Sequence, residues 1–118
     1  ETTMTLEEFF RLTGGDAAGT VSRLGGAAAA TRFLRLFPVD GSFSALTAAL
    51  AWGDAEAAFR AAHTLKGVAA NLGLERLRAL ASDMTECLRA GDSAGAQALL
   101  PSAEAAYRQV LDGLDRLG

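Results

Sequence analysis

Short stretches that contain glycine divide this chain into Ala- and Leu-rich segments, each long enough to form one helix. Gly53-Asp54 and Gly91-Asp92 are typical of a helix end followed by a new start, because Gly suits the position after a helix and Asp caps the next one. The chain contains no Ile and four Val, whereas strands are usually enriched in β-branched residues. An all-α fold is therefore predicted.

Apolar residues recur three or four positions apart within these segments, as on the buried face of a helix. Pro38 is expected to break or kink the chain after residue 37, and Pro101 to kink the last helix near Leu100. Because short connections imply antiparallel neighbours, the sequence predicts an antiparallel up-and-down four-helix bundle with one or two additional short N-terminal helices. One domain of residues 1–118 is expected, with short helices in 1–25 and the bundle core in 26–117. The predicted helical segments of the core are 27–37, 42–52, 54–72, 74–90 and 93–117.

Charge and apolar pattern argue against several classes of function. The net charge is −3 and no block of Lys or Arg is present, which disfavours a nucleic-acid surface. No charge-free apolar run reaches the roughly 18 residues that a membrane span needs. The single cysteine, Cys87, has no internal disulfide partner, so a reducing, cytoplasmic compartment is expected. The protein is also expected to be a monomer. The chain starts at Glu1 rather than Met, as an excised domain would.

The chain has one histidine and one lysine, and the two stand one helical turn apart. His63 and Lys66 both fall in the longest uninterrupted helical segment, and Gly67 follows directly. Residues three and four apart are neighbours on a helix surface. Helical phase also brings Phe59 and Ala70 near His63, between the apolar stripe and the solvent face. The sequence predicts an exposed imidazole on a rim of small and apolar residues.

This arrangement suits a phosphoryl acceptor. A neutral imidazole nitrogen of His63 is a competent nucleophile near pH 7, and Gly67 removes the side chain that would crowd it. The ammonium of Lys66 is placed to screen the negative charge of a phosphoryl group, in the adduct and during transfer. Thr64 and Asn71 are further candidates for hydrogen bonds to phosphate, with Asn71 at a marginal helical phase.

Other interpretations compete with this one. A lone histidine in a helical protein is more often an ordinary surface or core residue. A metal centre is not expected, because the His, the Cys and the scattered carboxylates show no paired ligand spacing. Glu56 is too remote along the helix to support His63, and Cys87 falls in an apolar stripe, as a buried hydrophobe rather than a nucleophile would.

Residues 63–73, HTLKGVAANLG, resemble the signature of histidine-containing phosphotransfer (HPt) domains. That signature combines a His-x-Leu-Lys-Gly core with small residues on the next turns and a Gly ten positions after the His. The flanks 51–54 and 88–92 are similar as well, so the resemblance covers about residues 25–115. It implies that His63 is phosphorylated on Nε2, that Lys66 screens charge and that Gly67 provides clearance. Some members place a Gln on the next helix to contact the phosphohistidine; the shorter Thr85 stands there, reaching only through water or leaving the role vacant.

The resemblance also implies partners: a response-regulator receiver domain, which carries the aspartate and its Mg²⁺, and a hybrid histidine kinase. No cofactor of the chain's own is expected. Docking in the family uses an apolar patch around the histidine, for which Phe10, Leu12 and Phe59 are candidates. Arg60 and Arg32 are candidates for charges at the rim of that patch.

Two further functions stay open beside a stand-alone carrier. The domain could be the phosphoacceptor module of a larger hybrid or chemotaxis-type kinase, or a purely structural helical module with an incidental histidine. Gly14-Gly15 and Gly25-Gly26 lack the GxxxxGK pattern of an ATP-binding loop. We therefore expect a phosphocarrier without kinase activity, which receives its phosphoryl group from a partner.

Overall fold

The computed structural model describes residues 3–118, whose secondary structure is helical apart from short connecting turns and one isolated bridge between Met4 and Leu117. The all-α prediction is confirmed. No helix within this range is long and apolar enough to cross a membrane. The helices are α1 Leu6–Thr13, α2 Ala17–Leu24, α3 Ala27–Arg35, α4 Ser42–Trp52, α5 Ala55–Asn71, α6 Glu75–Arg89 and α7 Ser93–Arg116, with a 3₁₀ turn at Phe37–Val39 between α3 and α4.

Local capping defines where several helices begin. Thr5 and Glu8 form a capping box, in which the Thr5 hydroxyl accepts from the Glu8 backbone N–H and the Glu8 carboxylate accepts from that of Thr5. These hydrogen bonds to Thr5 lower the pKa of Glu8. Asp16, Asp54 and Asp92 each accept a hydrogen bond from the backbone N–H three residues on. The helix starts are thus encoded by nearby residues.

One predicted helix end differs from the structure because of proline. α3 ends at Arg35 rather than residue 37, and Phe37–Val39 forms the 3₁₀ turn. Pro38 offers no backbone N–H and disfavours helical geometry at Phe37, which accounts for the early end. Pro101, in contrast, lies within α7 without interrupting it.

The core of the bundle is built from consecutive helices. α4 packs on α5, α5 on α6 and α6 on α7, and α7 also contacts α4. α5 contributes fully buried small and apolar residues, including Ala58, Ala62 and Leu65, while Leu77 and Met84 of α6 face them across the core. Since alanines let helix backbones approach closely, α5 is held on both sides. The four-helix up-and-down order stays a prediction that these contacts favour.

Helix α2 is hydrogen-bonded to the C-terminal end of α5. The Arg23 guanidinium of α2 donates to the carbonyls of Ala70 (3.1 Å) and Asn71 (3.0 Å). These carbonyls belong to the last turn of α5, which has no helical partners for them, so a cation there is favourable. The Asp16 backbone N–H also donates to the Gly73 carbonyl at 3.2 Å. α2 is therefore fastened to the turn that follows α5.

Gly73 offers a test of this attachment. Its φ is +70°, and a Cβ at this position would collide with the Thr20 hydroxyl. Gly53 has nearly the same φ, +74°, but a Cβ there would meet open space. We predict that Gly53→Ala lowers the free energy of unfolding by about 1 kcal/mol through backbone strain alone, and Gly73→Ala by about 3 kcal/mol through strain plus collision. Urea denaturation measures both, and equal losses would contradict the close packing at Gly73.

Candidate functional site

His63 lies near the middle of α5 and its side chain is exposed. The neighbouring Ala62 and Leu65 are fully buried, so they anchor the opposite face of the helix in the core. Because residues on one helix turn point in different directions, burial of this stripe forces His63 outward. The exposed imidazole predicted from helical phase is therefore present.

Lys66 stands one turn after His63 and is half-buried. It takes part in none of the ion pairs formed within residues 3–118. Arg60, three residues before His63, is instead paired with Glu56 at 2.7 Å. On α5 near His63, the lysine ammonium is thus a cation whose charge is not already offset by a carboxylate.

Gly67 lies in the interior of α5 without a packing reason to be glycine. A Cβ built at this position meets no heavy atom within 4 Å, and its φ is not positive. Glycine inside a helix costs about 1 kcal/mol relative to alanine. The fold therefore does not require Gly67, and the absent side chain leaves open space beside His63.

Phe59 lies one turn before His63, with the two rings nearly parallel. Their centroids are 6.2 Å apart and their planes differ by 9°. From α6, the Cζ atom of Arg89 lies 5.1 Å from the centre of the Phe59 ring. Arg89 itself is paired with Glu86 at 3.3 Å. The imidazole is thus flanked on the α6 side by an aromatic ring that a guanidinium covers.

The structure does not bring Thr85 into the site. Its side chain is fully buried, and its hydroxyl donates to the Ala81 carbonyl at 2.7 Å within α6. Of the two expectations for this position, a contact through water is contradicted by the burial of Thr85, whereas a vacant role agrees with it. Thr64, Asn71 and Arg60 are exposed on α5, but no hydrogen bond joins any of them to His63 among the described residues.

The apolar surface lies elsewhere than predicted. Phe10 is 1% exposed and packs edge-on against Phe9 in the core, so it cannot contact a partner. Leu12 is half-buried and lies close to Gly113 of α7. Phe59 is half-buried and packs against the core. Of the three predicted docking residues, only Phe59 adjoins His63.

A groove beside α5 carries the exposed apolar residues that sequence reasoning missed. Phe33 is 45% exposed, Leu36 61% and Val39 83%, and together with Val68 of α5 they line an open groove of about 310 Å³. Val68 follows His63 by five residues, or about 7.5 Å along the helix axis. The signal was available at Pro38: a helix that ends early leaves its last apolar residues without a partner helix. Arg32, on the same helix α3, is also exposed.

Comparison with known proteins adds one result. No curated protein and no solved structure matches the chain. The family model described as the Hpt domain matches residues 39–117, which include His63, Lys66 and Gly67. This match spans well over half of the chain and four of its helices, α4 to α7. The chain therefore belongs to the Hpt domain family.

Proposed function

We propose that this protein is a phosphocarrier that accepts a phosphoryl group on Nε2 of His63 and exchanges it with the aspartate of a response-regulator receiver domain. The Hpt family acts in histidine phosphotransfer within phosphorelays. The observation that carries the proposal for this residue is the exposure of the chain's one histidine on α5, within the matched range. A buried or tethered imidazole would not be open to a partner's active site.

The transfer step uses the lone pair of the imidazole. In the forward direction Nε2 attacks the phosphorus of the receiver's aspartyl phosphate in line, the bond between phosphorus and the aspartate oxygen breaks, and the carboxylate leaves on the receiver. Lys66 screens the charge of the phosphoryl group before and after this step. Mg²⁺ is expected on the receiver, so this chain supplies the nucleophile, the cation and the clearance.

We infer that the phosphoryl group comes from a partner, a hybrid histidine kinase or a phosphorylated receiver, and that this chain acts without kinase activity of its own. Members of the family are phosphocarriers rather than kinases. The lone, half-buried Cys87 supports a reducing, cytoplasmic location. The same chemistry would serve a stand-alone carrier or one domain of a larger kinase.

We further propose that the receiver docks over the groove formed by Phe33, Leu36, Val39 and Val68. An interface of ordinary size buries about 800 Å² per partner, which corresponds to a radius of about 16 Å. Val68, which lines the groove, lies about 7.5 Å along α5 from His63 and about 140° around the helix, so a footprint of this radius covers both when the receiver lies over the side of α5 next to α3. Exposed apolar side chains in a concave surface are typical of the centre of a docking site.

The phosphoacceptor role is tested by His63→Gln. The variant should take up no label from a phosphorylated receiver, whereas the wild-type chain should gain an acid-labile, base-stable phosphate. Because His63 is exposed, the free energy of unfolding should change by less than about 1 kcal/mol. Labelling of the variant at the wild-type rate would contradict the proposal, and so would a large loss of stability.

The clearance role of Gly67 is tested by a pair of variants. Gly67→Ala should raise the free energy of unfolding by about 1 kcal/mol, since alanine is the better helix former and its methyl meets open space. Gly67→Leu should retain the stability but slow transfer, because its side chain would fill the space beside the imidazole. Transfer by Gly67→Leu at the wild-type rate would show that clearance is not needed.

The docking surface is tested by the double variant Leu36→Ser, Val39→Ser. Its KM for the phosphorylated receiver should rise about tenfold with kcat retained, because burial of each exposed apolar side chain contributes about 1 kcal/mol or more. Trp52→Ser is the matched control, since Trp52 is 86% exposed at the opposite end of α4. An equal rise in KM for both proteins would place the docking surface elsewhere.

A further inference from the structure

The imidazole of His63 carries no hydrogen bond that would hold its ring in one orientation. Within residues 3–118, no hydrogen bond involves the His63 side chain, and the Thr85 hydroxyl donates its hydrogen bond to the Ala81 carbonyl. The torsion that turns an imidazole about its Cβ–Cγ bond is broad and roughly twofold. Rotation about this bond tilts the plane of the ring and changes the direction in which the Nε2 lone pair points. An in-line transfer needs a suitable plane, so another contact must set it.

Phe59 is the side chain placed to do so. Its ring is offset from that of His63 and nearly parallel to it, with centroids 6.2 Å apart, and aromatic pairs favour offset parallel contacts at such separations. Phe59 is half-buried in the seam between α5 and α6, where Leu88 and Arg89 line the same pocket. The half-buried ring of Phe59 therefore presents a flat face beside the imidazole of His63.

Arg89 holds this face in place. Its guanidinium lies over the Phe59 ring, with Cζ 5.1 Å from the ring centre, an arrangement stabilised by cation–π attraction. The ion pair with Glu86 keeps Arg89 at this position on α6. Arg89 thus covers the Phe59 ring from α6, whereas Lys66 on α5 takes part in none of the ion pairs within residues 3–118.

We propose that Phe59, covered by Arg89, is a positioning residue that sets the plane of the His63 imidazole and so limits the directions in which Nε2 points toward a docked phosphoryl donor. The inference rests on the proposed phosphoacceptor role of His63.

The test compares Phe59→Leu with Phe59→Tyr. Leucine keeps the apolar packing against Leu88 but removes the flat face, whereas tyrosine keeps the ring. Phe59→Leu should lower kcat for transfer from a phosphorylated receiver about three- to tenfold with KM within about twofold, the scale of a lost aromatic contact. Phe59→Tyr should keep the wild-type kcat, because it keeps the aromatic ring. Trp52→Leu, a loss of an exposed aromatic ring at the end of α4, is the matched control and should change neither constant.

A donor that needs no docking tests the reactivity of the His63 imidazole by itself, apart from its orientation toward a docked receiver. Phosphoramidate transfers its phosphoryl group to imidazole directly: the nitrogen–phosphorus bond of the donor breaks, the Nε2–phosphorus bond forms and ammonia leaves. Phe59→Leu should leave the rate of this reaction within about twofold of wild type, because a small donor approaches an exposed imidazole in any orientation. An equal loss with both donors would overturn the positioning role. The ring protons of His63 should also shift in the NMR spectrum as the Phe59 ring current is lost, and they are identified without ambiguity because the chain has one histidine.

The outcomes distinguish this inference from the proposed function. If the wild-type chain accepts phosphate and Phe59→Leu keeps its kcat, the positioning role is overturned while the phosphoacceptor role stands. A change in KM alone would make Phe59 a docking residue instead. If the wild-type chain accepts no phosphate from the receiver, the proposed function fails. If Phe59→Leu does not fold, Arg89→Gln serves instead. It removes the guanidinium that lies over the Phe59 ring, and it is expected to lower kcat as well.

Discussion

The structure depends on the burial of one face of α5. Ala58, Ala62, Leu65 and Ala69 form a continuous stripe with no exposed surface, and small side chains in it let α4 and α6 approach closely. Every other feature of the site follows from this contact, because a helix fixed along one face cannot rotate. The opposite face, with His63 on it, is held toward solvent. Exposure of the imidazole is thus a consequence of core packing.

The site has few parts, as we expect of the proposed phosphocarrier, for which the partner supplies the aspartate and the Mg²⁺. α5 supplies the imidazole, the neighbouring ammonium and a glycine that the fold does not require. α6 contributes from the side, through Arg89 over Phe59. The proposed docking groove comes from α3 and the 3₁₀ turn, which approach α5 near Val68. The exposed ring therefore has α6 on one side, and the groove formed with α3 and the 3₁₀ turn lies further along α5.

The N-terminal helices stabilise the helix that carries the histidine. Arg23 of α2 donates to the last carbonyls of α5, and Asp16 donates to Gly73 in the following turn. Carbonyl groups at a helix end carry partial negative charge and lack partners within the helix, so a guanidinium there is favourable. These contacts involve residues that precede the range matched by the family model. The attachment of α2 is therefore a feature that the family match alone does not describe.

Local signals in the sequence were enough to predict the helical class, most helix bounds and the exposure of His63. Capping residues, glycine at helix ends and the 3.6-residue period act over a few neighbours, so they can be read without the fold. The fates of Phe10 and Thr85 could not be read in this way. Residue type left Phe10 open to a core or a docking role, and Thr85 to a contact with the site or none, and the position of neighbouring helices decided that both are buried. The exposed groove and the ring of Phe59 beside His63 likewise depend on how separate helices meet, which is a property of tertiary packing and of no single segment.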